Sequence, residues 1–196
     1  MRRLLALLMV LAAPAGATGL EISVAGQANG TIVIDLFEDV APDHVARITE
    51  LAQEGAYNDV VFHRVIEGFM AQTGDIQYGQ RGLDMRYAGR GGSEFPDLSA
   101  EFSDIPYLRG TVGMARLGND VDTANSQFFI MFQPEPRLDG LYTVVGEVVI
   151  GMDVVDEIKI GRGPNGAVIG EPDRMTSVRV LAEDPVAPPE GAEATQ

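Results

Sequence analysis

Eight apolar segments of strand length recur along this chain, each cut off by glycine, proline or a polar turn before it can grow: Leu20–Ala25, Thr31–Phe37, Val60–Ile66, Phe69–Gln72, Thr111–Arg116, Gln127–Phe132, Thr143–Val149 and Ser177–Leu181. Short runs rich in Val, Ile, Phe and Thr favour pleated backbone covered by neighbours. Only two stretches carry helical periodicity. In Ala41–Glu54, Val45, Ile48, Leu51 and Ala52 fall at helical spacing, with Pro42 suited to the first turn and Gly55 to the C-terminal cap. Met152–Ile160, after Gly151, is the second. So many strands with so few helices argue against a βαβ sheet and predict a closed barrel or sandwich, whose ends two helices could plug. Asn29-Gly30 predicts a tight type I′ turn between the first two strands. Asn29-Gly30-Thr31 also fits the N-glycosylation pattern, but the turn already accounts for it.

The chain's 196 residues, 45% of them hydrophobic, predict one domain with a core large enough to fold without disulfide or metal. The absence of cysteine excludes disulfides, zinc–thiolate sites, iron–sulfur clusters and cysteine nucleophiles. Fourteen Lys and Arg against 29 Asp and Glu leave a net charge of −15. Such a balance argues against nucleic acid or an anionic membrane as a general partner. Two histidines, not at i,i+4 spacing, make a metal site unexpected. No cofactor is expected.

The ends differ from the body. Met1-Arg2-Arg3, the apolar run 4–13 and Pro14-Ala15-Gly16-Ala17 have the layout of a secretory signal peptide cleaved after Ala17. Ten apolar residues are too few to span a bilayer core that needs about twenty. Losing Arg2 and Arg3 leaves 12 basic against 29 acidic residues, or −17. The expected product is exported, soluble and not inserted in the membrane. Residues 185–196, rich in Pro, Ala and Glu, predict a disordered tail. The folded domain is therefore expected over residues 18–184.

Three motifs invite chemistry. Gly161-Arg162-Gly163-Pro164-Asn165-Gly166 spells G-x-G-x-x-G, but it follows a helical stretch, contains proline and opens no helix. A dinucleotide loop needs the opposite context. His44, on the first helix, is expected to be partly exposed, and His63 to be packed and hydrogen-bonded on the face opposite Arg64. Ser93, Ser126 and Ser177 have no evident His/Asp companions. The third motif is Phe62-His63-Arg64-Val65-Ile66-Glu67-Gly68-Phe69-Met70-Ala71-Gln72. If its two strands are neighbours, Arg64 and Gln72 meet beside Phe69 and Met70, a guanidinium over an apolar cup. Pattern alone leaves open a ligand site or an ordinary barrel strand with a surface ion pair.

FHRVIEGFMAQTGD (Phe62–Asp75), GTVGMAR (Gly110–Arg116), NSQFFI (Asn125–Ile130) and LDGLYTVVGEV (Leu138–Val148) together resemble the cyclophilin family of peptidyl-prolyl isomerases, in the family's order. The resemblance runs from about Leu20 to Leu181 and looks like the bacterial secreted branch. It implies a mainly β fold, a closed eight-stranded antiparallel barrel capped by two α-helices. The interior would be packed and the active groove would lie on the outer surface. It implies rotation about Xaa-Pro bonds in unfolded or partly folded polypeptides, helping exported proteins fold in the periplasm, with no cofactor or metal.

By similarity Arg64 is the catalytic arginine, with Phe69 and Gln72 beside it. Phe69, Met70, Phe129 and Leu138 would line the proline pocket, while Gln72 and Gln127 hold the peptide backbone. Ala115 and the main chain at Arg116 would form the other wall. Tyr142 stands where many members have histidine, Arg137 where many eukaryotic members have tryptophan, and Arg116 where that group has asparagine. A tyrosine still supplies a flat wall and a hydroxyl. Arg137 removes an indole, so weak cyclosporin binding is expected. Two other function classes compete: a non-catalytic peptide-binding module or chaperone using the same groove, and a small-molecule barrel, which would be hollow. Alternating Val, Ile and Phe predict a filled interior. Nothing calls for more than a monomer.

Overall fold

The computed structural model describes residues 18–182; the expected signal segment and tail lie outside the described residues. The first two strands, β1 (Thr18–Ala25) and β2 (Gly30–Leu36), form an antiparallel pair with Leu20 opposite Ile34 and Ile22 opposite Ile32. Alternation turns these four residues inward, where all are buried. The expected two-residue turn is not formed. Gly30 already lies in β2 opposite Val24, so the connection runs over Gly26–Asn29. Tertiary contacts set that wider loop: the Asp173 carboxylate accepts from the Ala28 amide at 2.9 Å, and a Cβ on Gly30 would come 2.6 Å from Val154 Cγ2.

The first helix, α1 (Pro42–Gln53), begins and ends as its sequence predicts, with Pro42 in the first turn and Gly55 at φ +73 beyond the last. Ala41 offers no side-chain cap. A distant carboxylate does that work: Glu101 accepts from the amides of Asp43 (3.2 Å) and His44 (3.1 Å) and lies 2.6 Å from His44 Nδ1. His44 is accordingly fully buried, not partly exposed as expected. The second helix, α2 (Met152–Glu157), is shorter than its sequence pattern, because Ile158 leaves helical geometry at ψ 132. No helix among the described residues is long and apolar enough to cross a membrane.

Seven further strands complete one antiparallel curled sheet: β3 (Val60–Val61), β4 (Arg64–Ile66), β5 (Met70–Thr73), β6 (Thr111–Met114), β7 (Phe128–Met131), β8 (Val144–Ile150) and β9 (Arg174–Ala182). Their order is β3-β9-β1-β2-β8-β6-β7-β5-β4. The expected eight strands are thus nine, and the difference lies in Val60–Ile66. Phe62 donates its amide to Asp173 O (2.9 Å), and His63 O accepts from Val168 N (3.0 Å). Loops take the hydrogen bonds at the break, so β3 pairs with β9 and β4 with β5, at opposite ends of the ladder.

Inside the curl, Leu20, Ile22, Ile34, Val65, Ala71, Val112, Phe128 and Ile130 join the buried α1 face of Val45, Ile48 and Leu51 in one cluster. This core is filled by side chains, which removes the hollow-barrel class. The outer face of β5, β6 and β7 carries a second cluster built on Met70, Tyr107, Phe129, Met131 and Val144. These strands are therefore buried on both faces and read as continuous apolar runs.

Candidate active site

Strand register brings the site together. Arg64 on β4 stands opposite Gln72 on β5, and Gln72 stands opposite Phe129 on β7. Period-2 alternation sends Val65, Ala71 and Phe128 to the core, leaving Arg64, Met70, Gln72 and Phe129 on the outer face. Phe129 is opposite Gly113 of β6. There a Cβ would lie 2.3 Å from Tyr107 Oη and 2.7 Å from Phe129 Cζ, so only glycine leaves room for both rings. The Phe129 ring stacks on Tyr107 at 5.8 Å and meets Tyr142 edge-on at 5.9 Å.

Around these rings is a cavity of about 140 Å³ lined by Arg64, Phe69, Met70, Gln72, Ala115, Arg116, Phe129, Leu138 and Tyr142. Nine of the ten site residues expected from the sequence therefore face one space, drawn from three strands and three connections. The tenth, Gln127, lines a neighbouring cavity of about 280 Å³ together with Gly91, Gly92, Asp97, Thr123 and Asn125. The two cavities share Gln72, Ala115 and Arg116. An extended chain could therefore lie across both.

A polar relay runs along the groove floor. Arg64 Nη1 donates to Gln72 Oε1 at 2.9 Å, Gln72 Nε2 to Gln127 Oε1 at 2.9 Å, and Gln127 Nε2 to Gly91 O at 2.8 Å. Arg64 Nε donates to Asn165 O at 3.0 Å, and a longer contact of 3.4 Å joins Nη2 to Asn165 Oδ1. Partial burial pulls the Arg64 pKa below its ordinary value, opposed by Tyr142. A guanidinium remains protonated regardless. What burial changes is solvation: a half-dry donor binds an acceptor more strongly than one in bulk water.

On the far wall the Arg116 guanidinium lies 4.3 Å above the Tyr142 ring and donates to Leu117 O (2.8 Å) and Leu141 O (3.0 Å). Arg116 thus supplies a side-chain wall as well as the main chain expected of it. Arg137 is turned away. Its side chain is 86% exposed and grips Glu135 through Nε and Nη2 at 2.7 Å each, holding that carboxyl below its usual range.

His63 is packed behind the groove, under Gly89, as expected, but neither ring nitrogen meets a partner at full hydrogen-bonding geometry. Burial lowers its pKa to about 4, with Asp75, the Val61 carbonyl and Gln127 pulling the other way and Arg64 adding to the fall. The serine hydroxyls of Ser93 and Ser126 are spent on Asn125 Oδ1 and Gly74 O, each at 2.7 Å, which does not make a nucleophile. Sequence reasoning missed Asn165, inside the rejected Gly-rich motif, and the Gly89–Gly92 wall. A non-glycine residue poised before glycine in a turn was the available signal for Asn165.

An open apolar cup edged by a fixed guanidinium thus lies on the outside of a filled curled sheet. The family model described as "Cyclophilin type peptidyl-prolyl cis-trans isomerase/CLD" matches residues 20–180. A probable peptidyl-prolyl cis-trans isomerase of Brucella suis is 53% identical over 157 residues, covering 79% of this chain and 80% of that one. A peptidyl-prolyl cis-trans isomerase of Synechococcus elongatus is 35% identical, covering 79% and 92%. Among solved structures, a cyclophilin-type isomerase of Cryptosporidium parvum superposes with TM-score 0.71 at 23% identity, covering 86% of this chain and 99% of that one. A cyclophilin of Hirschia baltica gives TM-score 0.66 at 25% identity, covering 82% and 72%. The chain belongs to the cyclophilin-type peptidyl-prolyl cis-trans isomerase family, and its activity is that isomerisation.

Proposed function

We propose that Arg64 performs the reaction by donating to the prolyl nitrogen of a substrate whose ring sits among Phe69, Met70, Phe129 and Leu138. The observation that carries this reading is the Arg64 guanidinium, held by Gln72 and Asn165 at the edge of the apolar cup. Rotation about a peptide bond faces about 18–20 kcal/mol because the nitrogen lone pair is delocalised into the carbonyl. At the twisted transition state the lone pair returns to a pyramidal nitrogen, which becomes a hydrogen-bond acceptor there and in neither ground state. A donor aimed at it lowers the barrier without tightening substrate binding.

One charge-assisted hydrogen bond contributes about 1.5–3 kcal/mol, or roughly one to two powers of ten in rate. Removing water from the reacting amide and holding the flanking peptide in a twistable geometry would supply the rest. Gln72, Gln127 and the chain at Ala115–Arg116, just after β6, line the path for that backbone, and the larger cavity offers room for a side chain away from the proline. The substrate is accordingly an Xaa-Pro unit in an open polypeptide. A Cryptosporidium parvum structure of this fold was determined in the presence of the dipeptide Ala-Pro.

The leader-like residues 1–17 support export and cleavage, and so an enzyme of the bacterial secreted branch that assists folding in the periplasm; one chain supplies every residue of the groove, so a monomer suffices. A non-catalytic peptide-binding module or chaperone would use the same groove, but would not need an arginine clamped at the cup's edge. The test compares cis-to-trans exchange of a short Xaa-Pro peptide with the parent protein and Arg64→Ala. A loss of at least about tenfold in the folded variant is expected. An equal rate would sink the mechanism, and no acceleration by either protein would favour the binding module.

A further inference from the structure

The Gly161–Gly166 segment, rejected above as a nucleotide loop, is built against the strand that carries Arg64. Gly161 N donates to Val65 O at 2.9 Å, Val168 N donates to His63 O at 3.0 Å, and Ala167 forms an antiparallel bridge with Arg64 itself. Two of its glycines are dictated by packing. A Cβ on Gly161 would fall 1.8 Å from Gly166 O, and one on Gly166 would fall 2.3 Å from Ile66 Cγ1. Between them Asn165 takes the left-handed conformation, φ 54 and ψ 29, which few non-glycine residues adopt and asparagine tolerates best. In that conformation its carbonyl accepts from Arg64 Nε at 3.0 Å, and its carboxamide oxygen lies 3.4 Å from Nη2.

We infer that Asn165 is a positioning residue for isomerisation: it fixes one edge of the Arg64 guanidinium while Gln72 fixes another, so that the donor is aimed before substrate arrives. The inference rests on the role proposed for Arg64. An arginine side chain has many rotamers, and an unclamped guanidinium would reach the prolyl nitrogen only part of the time. Gln72 alone leaves the planar group free to swing about the Nη1 contact. A second acceptor at Nε removes that freedom. Strained backbone held in place by its surroundings beside a reacting group is a recurrent form of preorganisation. The left-handed turn here points a backbone oxygen at Arg64 without taking space from the substrate cup, because Asn165 does not line that cavity.

The full chain can be tested without mutation first. A scalar coupling across the hydrogen bond between Arg64 Nε and the Asn165 carbonyl carbon, with slow exchange of the Arg64 Hε proton, is expected. A freely exchanging Hε without that coupling would overturn the inference. Variants then separate positioning from bulk structure. Asn165→Val, whose β-branched side chain opposes the left-handed turn, should lower kcat about tenfold with KM unchanged and release the Arg64 Hε. Asn165→Gly keeps the turn and the carbonyl and should recover most of that rate. A folded Asn165→Val protein with parental kcat, or one that loses kcat while Arg64 Hε stays protected, would overturn the inference. Arg64→Ala, run alongside, distinguishes the two claims: its loss with a fully active Asn165→Val overturns only the positioning role. Parental activity in Arg64→Ala would overturn the Arg64 reading itself and this inference with it.

Discussion

Gln72 stands directly across the β4–β5 ladder from Arg64 and accepts a 2.9 Å hydrogen bond from its Nη1. Because Gln72 also donates to Gln127, its carboxamide orientation is fixed by both neighbours: oxygen towards the cation, nitrogen towards the next amide. The pair makes the guanidinium part of the sheet rather than a mobile surface charge. Gln72→Ala should therefore cost about 1.5–3 kcal/mol of transition-state stabilisation, roughly ten- to a hundredfold in kcat/KM, with little change in Tm. Peptide exchange kinetics beside a far-UV thermal melt would check this; undiminished kcat/KM would mean that Asn165 alone is enough to hold Arg64.

His63 ties stability to pH. Its pKa falls from 6.5 in the unfolded chain to about 4 in the fold, chiefly through burial. Between those values the unfolded chain binds the extra proton, so stability rises with pH. The neutral ring's contribution is complete above pH 6.5 and is lost as pH falls through about 4. The span corresponds to about 3 kcal/mol. Urea unfolding of the parent and His63→Phe from pH 4 to pH 7 should show the parent losing stability more steeply towards acid. Parallel curves would mean that the ring protonates at its ordinary pKa in the fold.

Asp75 staples the wall of the larger cavity. Its buried carboxylate accepts from the amides of Gln77 (3.1 Å), Tyr78 (2.8 Å), Gly89 (2.6 Å) and Gly91 (3.0 Å). Asparagine offers one oxygen where the carboxylate offers two, so Asp75→Asn strands at least one pair of these amides at about 1–3 kcal/mol. Faster hydrogen exchange at Gly89 and Gly91 is the expected signature, together with weaker binding of longer peptides. Unchanged exchange there would place the loop's stability in other contacts.

Cyclosporin should inhibit weakly. Arg137 points into solvent and is held by Glu135, so the groove has no indole at that rim. Arg137→Trp should tighten inhibition, read from the inhibitor concentration that halves the isomerisation rate. Nanomolar inhibition of the parent would show that the missing tryptophan does not govern affinity.

Much of this was legible in the residues. Pro42, Gly55 and the Val45–Ile48–Leu51 spacing define α1 because capping and amphipathic period are local properties. The strand runs announce themselves through β-branched and aromatic residues, and Phe62–Asp75 carries enough specific residues to place Arg64, Phe69, Met70 and Gln72 in one groove. Where local reading failed, a distant partner had intervened. Glu101 buries His44 from 57 positions away, Asp173 and Val154 widen the Gly26–Asn29 connection, and Phe62 and His63 leave the ladder to bond loops. By itself, then, the sequence determined the kinds of element and the apolar faces, consequences of short-range propensity and residue type, while the chemistry of the groove was legible only through the resemblance its motifs carry. Only the tertiary structure decided where strand Val60–Ile66 breaks and that Asn165 closes on Arg64. Each of those depends on a hydrogen-bond or packing partner far along the chain, and the choice among such partners is made when the sheet curls and not before.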